Sequence, residues 1–199
     1  EHLCIASFVI LGDCELVTKA APLLEKKLPE VDYIVTAEAK GIPLVNELCR
    51  LRNLPYYIVA RKSVKPYMSH PLTDEVVSIT TQKAQTLCLD GKDAMLLKGK
   101  RVAIVDDVIS TGESLRAMEE LVHRAGGNIV GRMAILAEGD ATERDDLIYL
   151  EKLPLFNQTD ACLLIACLYL CNVPGFLLLW FMEKLLKNLR DGRVFVEDN

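Results

Sequence analysis

Apolar positions along the chain follow two alternating rhythms. Over residues 15–28 they recur at helical spacing (Leu16, Val17, Ala20, Leu23, Leu24, Leu28) and stop at Pro29, which predicts an amphipathic helix. Residues 32–36 form a short, mostly apolar run that predicts a strand, with residues 37–41 as the turn behind it. Residues 42–52 read as a helix and residues 56–60 as a second strand. Residues 102–105 are four apolar residues in succession, the pattern of a strand buried on both faces in a parallel sheet. A helical pattern through Leu115, Met118, Leu121 and Val122 follows, and later strands are expected at residues 128–137 and 147–150. Strands alternating with helices build right-handed βαβ units, hence an α/β fold around a mainly parallel sheet. Ligands of such sheets sit beyond the carboxyl ends of the strands. Three strand-end segments, residues 37–41, 61–62 and 106–114, are therefore expected to face one crevice.

The third of these segments carries the most chemistry. Asp106 and Asp107 are expected where the strand ends, and Ser110, Thr111 and Gly112 make a small polar turn before the helix. Gly112 lets the backbone turn tightly and approach a ligand. The hydroxyls of Ser110, Thr111 and Ser114, with the free N–H groups of a helix start, suit a phosphate. Ionised carboxylates only accept hydrogen bonds, so the aspartates call for donors, and ribose hydroxyls fit them. The bland alternative is a turn in which Ser110 or Thr111 caps the helix and both aspartates are solvated. In the first segment, Glu38, Ala39, Lys40 and Gly41 precede Pro43 at a helix start. Backbone N–H groups and Lys40 there could cradle a pyrophosphate, against the alternative of a plain connection with an exposed lysine. The cations Arg61, Lys62 and Lys65 follow the second strand, where a charge run alone is only weakly informative.

The run Val102-Ala-Ile-Val-Asp-Asp-Val-Ile-Ser-Thr-Gly-Glu-Ser114 resembles the phosphoribosyl pyrophosphate (PRPP) signature of type I phosphoribosyltransferases, with adenine phosphoribosyltransferase and its purine relatives nearest. Glu38-Ala-Lys-Gly41 resembles the pyrophosphate loop of the same enzymes, many of which carry arginine where Lys40 stands. The resemblance covers residues 1–156. It implies a central, mainly parallel sheet flanked by helices, a flexible flap, and transfer of a 5-phosphoribosyl group from PRPP to a purine, best adenine, with Mg²⁺ and as a homodimer. It further implies that Asp106 and Asp107 hold the ribose 2′- and 3′-hydroxyls. Residues Ser110, Thr111, Gly112, Glu113 and Ser114 would cradle the 5′-phosphate. Glu38, Ala39, Lys40, Gly41, Arg61, Lys62 and Lys65 would meet the rest of PRPP, with Asp106, Asp107 and Lys40 as the catalytic set. Asp106 or Asp107 would also reach the metal. Glu113 departs from the pattern, because adenine-type members usually have glycine there and a carboxylate beside a phosphate is unwelcome. Residues 63–85 lose clean periodicity; alternation at Val76, Ser78 and Thr80 against Val77 and Ile79 is expected to form a short hairpin arm, the flap. The hood over the base is expected to be cut short at its N-terminal side, leaving Phe8 either to stack on a purine or simply to pack.

Composition changes the picture little. With 28 acidic against 23 basic residues the net charge is −5, which argues against nucleic acid as a partner. Seven cysteines occur without Cys-x-x-Cys pairs, and with no N-terminal signal peptide a cytoplasmic protein is expected. Residues 157–199 depart from the domain: residues 161–182 are almost wholly apolar, broken by Asn172, Pro174 and Gly175, and residues 183–190 are amphipathic and basic. A membrane anchor through residues 161–182, a packed helical hairpin and a non-native extension all fit that pattern. For function, the alternative to an enzyme is a PRPP-sensing regulatory or structural protein on the same fold. Such regulators usually add a DNA-binding module, and no helix-turn-helix pattern is present.

Overall fold

A computed structural model of the protein describes residues 3–4, 8–76, 85–153 and 156–157. The expected C-terminal extension and the tip of the expected arm fall outside these residues. Two compact units are distinguished, Val9–Lys152 and Glu1–Phe8 with Leu153–Asn199. In the second, β1 (Leu3–Cys4) pairs antiparallel with β9 (Phe156–Asn157).

The larger unit begins with helix α1 (Cys14–Glu25), capped by Asp13, whose carboxylate accepts the Leu16 N–H at 3.0 Å. The helix stops short of the expected Leu28 because the Lys27 and Leu28 N–H groups bond only three residues back, to Leu24 and Glu25, tightening the last turn. Strand β2 (Tyr33–Ala37), helix α2 (Ile42–Arg52) and strand β3 (Ile58–Ala60) follow much as the pattern predicts. Helix α2 has Pro43 in its first turn, basic Arg50 and Arg52 in its last, and ends at Asn53 in the left-handed region (φ 54°).

The arm is real at its base. Strands β4 (Leu72–Val76) and β5 (Gln85–Leu89) pair antiparallel, Leu72 opposite Leu89 and Val76 opposite Gln85. Helix α3 (Gly91–Leu97), which the apolar pattern did not announce, follows under the Asp90 cap. Strand β6 (Arg101–Ile109) corrects the expected boundary, since Asp106 and Asp107 lie within it rather than at its end. The reason is its neighbour. Strand β7 (Asn128–Glu138) runs alongside in parallel and pairs Asp106 with Ala134, Val108 with Leu136 and Ile109 with Ala137, carrying the ladder past the carboxylates. Helix α4 (Glu113–Arg124) connects the two. A 3₁₀ turn at Gly139–Glu143 and strand β8 (Ile148–Leu153) complete the unit.

The sheet order is β3-β2-β6-β7-β8, with β2 parallel to β3 and to β6, and β6 parallel to β7. The chain leaves β2 toward β3 on one side and leaves β6 toward β7 on the other. The switch point therefore falls between β2 and β6, where the two following loops diverge and open a crevice. One face of the sheet packs Val35, Ala37, Val102 and Ile104 against Leu115, Met118, Leu121 and Val122 of α4 in a continuous core. Helices α1 and α2 pack on each other and on β2, β6 and β7. Their buried residues, such as Leu24, Leu44 and Leu48, lie outside that core. Among the described residues no helix is long and apolar enough to cross a membrane.

Candidate functional site

At the switch point lies a cleft of about 220 Å³, lined by residues 37–40, Lys62, Leu87 and the unbroken run 106–115. It thus collects Glu38, Ala39, Lys40, Lys62, Asp106, Asp107, Ser110, Thr111, Gly112, Glu113 and Ser114, all singled out from the sequence. Gly41, Arg61 and Lys65 are not among the lining residues.

The wall after β6 is built by local chain geometry. Gly112 is the N-cap of α4 in the left-handed region (φ 78°), and no side chain caps the helix. This removes the alternative in which Ser110 or Thr111 serves as the cap. The first N–H groups of α4 consequently remain available at the cleft, with the helix dipole behind them. Asp107 is buried and Asp106 half-buried, and the Asp107 N–H donates to Asp106 Oδ1 at 2.9 Å. Burial, reinforced by the adjacent Asp107 charge, pushes Asp106 up from 3.8 to about 8, with Lys40 opposing the shift. The Asp106 carboxyl therefore resists ionisation until a cation or hydrogen-bond donor joins it.

The opposite wall is held by ion pairs. Lys40 Nζ lies 3.2 Å from Asp107 Oδ2, close enough for charge pairing though without hydrogen-bond alignment. Glu38 Oε2 accepts the Lys62 N–H at 3.1 Å and lies 3.4 Å from Arg61 Nε. Arg61 is anchored a second way, since its N–H and carbonyl exchange 2.8 Å bonds with Cys88 at the foot of the arm. Lys65 Nζ bonds Ser63 Oγ at 2.7 Å. The Glu38–Ala39 peptide is cis. Gly41 closes tightly under this loop: a Cβ there would collide with Thr36 Oγ1 and lie 3.0 Å from Asp106 Oδ1.

Two positions were not singled out in the sequence. Thr36, wholly buried, is the residue that forbids a side chain at Gly41. Glu138, at the end of β7, is 8 % exposed and its Oε1 has no hydrogen-bond partner among the described residues. Burial raises its pKa and the Lys40 charge opposes that rise. The only signal for Glu138 was a carboxylate closing the apolar run 133–137. Phe8 is buried, the packing alternative for that ring. No group of three or more metal-ligating side chains occurs among the described residues.

The phosphoribosyl transferase domain model matches residues 16–157. The chain belongs to that family. It is 36% identical over 116 residues to a hypoxanthine/guanine phosphoribosyltransferase of Methanotorris igneus, covering 58% of this chain and 59% of that protein. Against the protein of the same name from Methanococcus voltae the identity is 33% over 114 residues, 57% of each chain. The match thus spans somewhat less than three-fifths of these curated relatives. Among solved structures, adenine phosphoribosyltransferase of Thermoanaerobacter pseudethanolicus superposes with a TM-score of 0.62 at 27% identity, covering 72% of this chain and 84% of that one. The α/β architecture around a mainly parallel sheet is the type I phosphoribosyltransferase fold, as expected from the signature.

Proposed function

We propose that the protein is a purine phosphoribosyltransferase, moving the 5-phosphoribosyl group of PRPP to a purine nitrogen with release of pyrophosphate, a salvage reaction. One observation carries this reading: the buried aspartate pair and the uncapped start of α4 share a single cleft with the Lys40 loop. In this reading Asp106 and Asp107 accept from the ribose hydroxyls, residues 110–114 receive the 5′-phosphate, and Lys40 with the loop N–H groups meets the pyrophosphate. Bond breaking at C1 leaves positive charge on the sugar and builds negative charge on the leaving group. The protein's contribution is to orient the two reactants and stabilise the leaving charge, with Lys40 as the cation of the loop. Lys62 at the cleft and Arg61, paired with Glu38, add positive potential beside the loop. The arm β4–β5 is suited to closing over the sugar and excluding water from a cation that would otherwise be hydrolysed.

Mg²⁺ suits the donor set. It takes few protein ligands, and Asp107 brings a buried Oδ2 without a hydrogen bond among the described residues. Bound there with PRPP, the ion would neutralise pyrophosphate charge, held by Asp106 or Asp107 and otherwise by PRPP oxygens. Adenine is the base that the sequence resemblance favours. The relatives of higher identity are named for hypoxanthine and guanine, which gives the 6-oxopurines as the second reading. A homodimer is the assembly proposed. Incubation with PRPP, Mg²⁺ and each of adenine, hypoxanthine, guanine and xanthine tests the reaction and the base. Nucleoside monophosphate and pyrophosphate in equal amounts are expected with one base class. PRPP binding without turnover on any base would instead indicate a sensor.

A further inference from the structure

Glu113 is the residue of the phosphate turn that the signature does not explain, because it adds a negative charge where a phosphate should bind. It lines the cleft beside Gly112. A side chain from outside the signature faces the same turn. A Cβ placed on Gly112 would lie 3.6 Å from Nη1 of Arg144, so the guanidinium stands against the open face of that glycine.

The Arg144 fork is aimed by its neighbours. Nε and Nη2 donate to Asp146 Oδ1 and Oδ2, both at 2.9 Å, and Nη2 lies 3.5 Å from Glu119 Oε1 on α4. Arg132 binds the same two carboxylates, Glu119 in a short hydrogen bond and Asp146 at 3.3 Å, which fixes the cluster between β7 and α4. A forked grip of this kind holds a guanidinium in one plane. Nη1 is the part of the fork left facing Gly112, and it makes no hydrogen bond among the described residues. The side chain is 32% exposed and lies just outside the cleft lining, so an anion bound at the turn would meet it through a water.

We propose that Arg144 is a phosphate-binding residue of the turn 110–114, its Nη1 edge offsetting the Glu113 carboxylate and drawing a sugar 5′-phosphomonoester to the start of α4. This rests on the transferase reading, but its test does not need turnover. Calorimetry of the full chain with ribose 5-phosphate, and separately with inorganic pyrophosphate, is compared for wild type, Arg144→Gln, Arg144→Lys, Glu113→Gln and the double variant Glu113→Gln/Arg144→Gln. Arg144→Gln should weaken ribose 5-phosphate ~10-fold, as for loss of one charge-assisted contact, and leave pyrophosphate affinity unchanged. Arg144→Lys should fall between, keeping the charge without the fork. In the Glu113→Gln background, removing Arg144 should cost clearly less, because the repulsion it offsets has gone. Equal ribose 5-phosphate affinity in wild type and Arg144→Gln overturns the proposal alone. So does a loss that extends equally to pyrophosphate, or one indifferent to Glu113, either of which marks a purely structural arginine. A wild-type chain that binds neither ribose 5-phosphate nor PRPP overturns the transferase reading and this proposal with it.

Discussion

The two walls of the cleft are made in different ways. Residues 106–115 form one continuous stretch that lines the cleft with hydroxyls, backbone N–H groups and the carboxyls of β6, set by the strand end, the left-handed Gly112 and the helix start. The opposite wall brings Glu38–Gly41 together with Arg61 and Lys62, some twenty residues further on, and fixes its cations through carboxylates: Lys40 to Asp107, Arg61 to Glu38. The first wall is preorganised by local backbone geometry. The second is preorganised by charge, and Lys40 and Arg61 must each loosen a carboxylate to serve a pyrophosphate. Substitutions in the first wall should therefore act on one ligand group each, whereas those in the second should propagate.

Asp107 belongs to both walls, so its removal should give the largest effect. Asp107→Ala deletes the proposed acceptor of a ribose hydroxyl and the partner of Lys40 together. With charged hydrogen bonds contributing ~1.5–3 kcal/mol each, PRPP affinity should fall on the order of 100-fold, as read by calorimetry. The fold should survive, because a buried like-charge neighbour of Asp106 has gone. Unchanged PRPP affinity would sink the ribose assignment.

How much of this was legible in the sequence follows the same division. The continuous wall was readable because its chemistry and its geometry lie in one stretch: apolar strand, two aspartates, Ser110 to Gly112, helix. Even there the end of β6 was misplaced, since pairing with β7 is a long-range fact that a four-residue apolar run does not contain. In the other wall the residue types were legible but their partners were not. Nothing in the local pattern says that Glu38 serves the Lys62 N–H and Arg61 rather than a ligand. The same limit hid Thr36 beneath Gly41, Arg144 beside Gly112, and Glu138. Arg144 and Glu138 come from elements distant in sequence, and Thr36, though only five residues before Gly41, meets it only once the loop has folded back. Helix α3 was missed for a different reason: its seven residues are too few to establish a helical period.

Gly41→Ala should rank second, and it tests whether the charge-built wall depends on backbone approach. The new methyl must displace Thr36 Oγ1 and crowd Asp106, so overpacking should cost ~1–3 kcal/mol in denaturant unfolding. PRPP affinity should drop ~10-fold as the loop and Asp106 separate. Adding Thr36→Ala opens the space and should restore most of both losses. If the pair is no better than the single variant, the collision is not the cause.

The coupled aspartates give a pH dependence that separates the walls. Asp106 is raised from 3.8 to about 8 in the ligand-free fold, mainly by burial. Its unfolded form ionises first, so the contribution to stability is full below about pH 4 and is lost as pH rises through about 8. Ribose hydroxyls donate best to ionised carboxyls, so PRPP binding near pH 7 should release a proton. Affinity should then rise severalfold between pH 7 and 8, limited to ~10-fold per unit for one proton. Calorimetry in buffers of differing ionisation enthalpy counts that proton. Asp107→Ala should shrink the release, because the Asp107 charge adds to the effect of burial on Asp106, while Gly112-side variants such as Glu113→Gln should leave it intact. Proton uptake instead of release would reverse the assignment.

The smallest effect should come from Glu38, and it is the sharpest test of how the second wall works. Glu38 lines the cleft, yet its carboxylate faces cations of its own protein, and a carboxylate has nothing to offer a pyrophosphate. Its work in the free protein is to hold Arg61 and the Lys62 backbone in place. Glu38→Gln keeps an acceptor for the Lys62 N–H but removes the charge that holds Arg61. Two consequences oppose each other. Arg61 becomes freer to meet pyrophosphate and the wall more positive, which favours binding; the guanidinium also becomes less ordered, which costs side-chain entropy. A partly exposed pair of this kind is worth at most ~1 kcal/mol, so the net change in pyrophosphate affinity should stay within about 5-fold. The diagnostic is salt. With one negative charge removed from the wall, pyrophosphate binding in Glu38→Gln should weaken more steeply between low and physiological ionic strength than in wild type. Ribose 5-phosphate, bound at the other wall, should show the wild-type slope. A common change in both slopes would mean that the two walls share one field, and that the division into a backbone-built and a charge-built half is wrong.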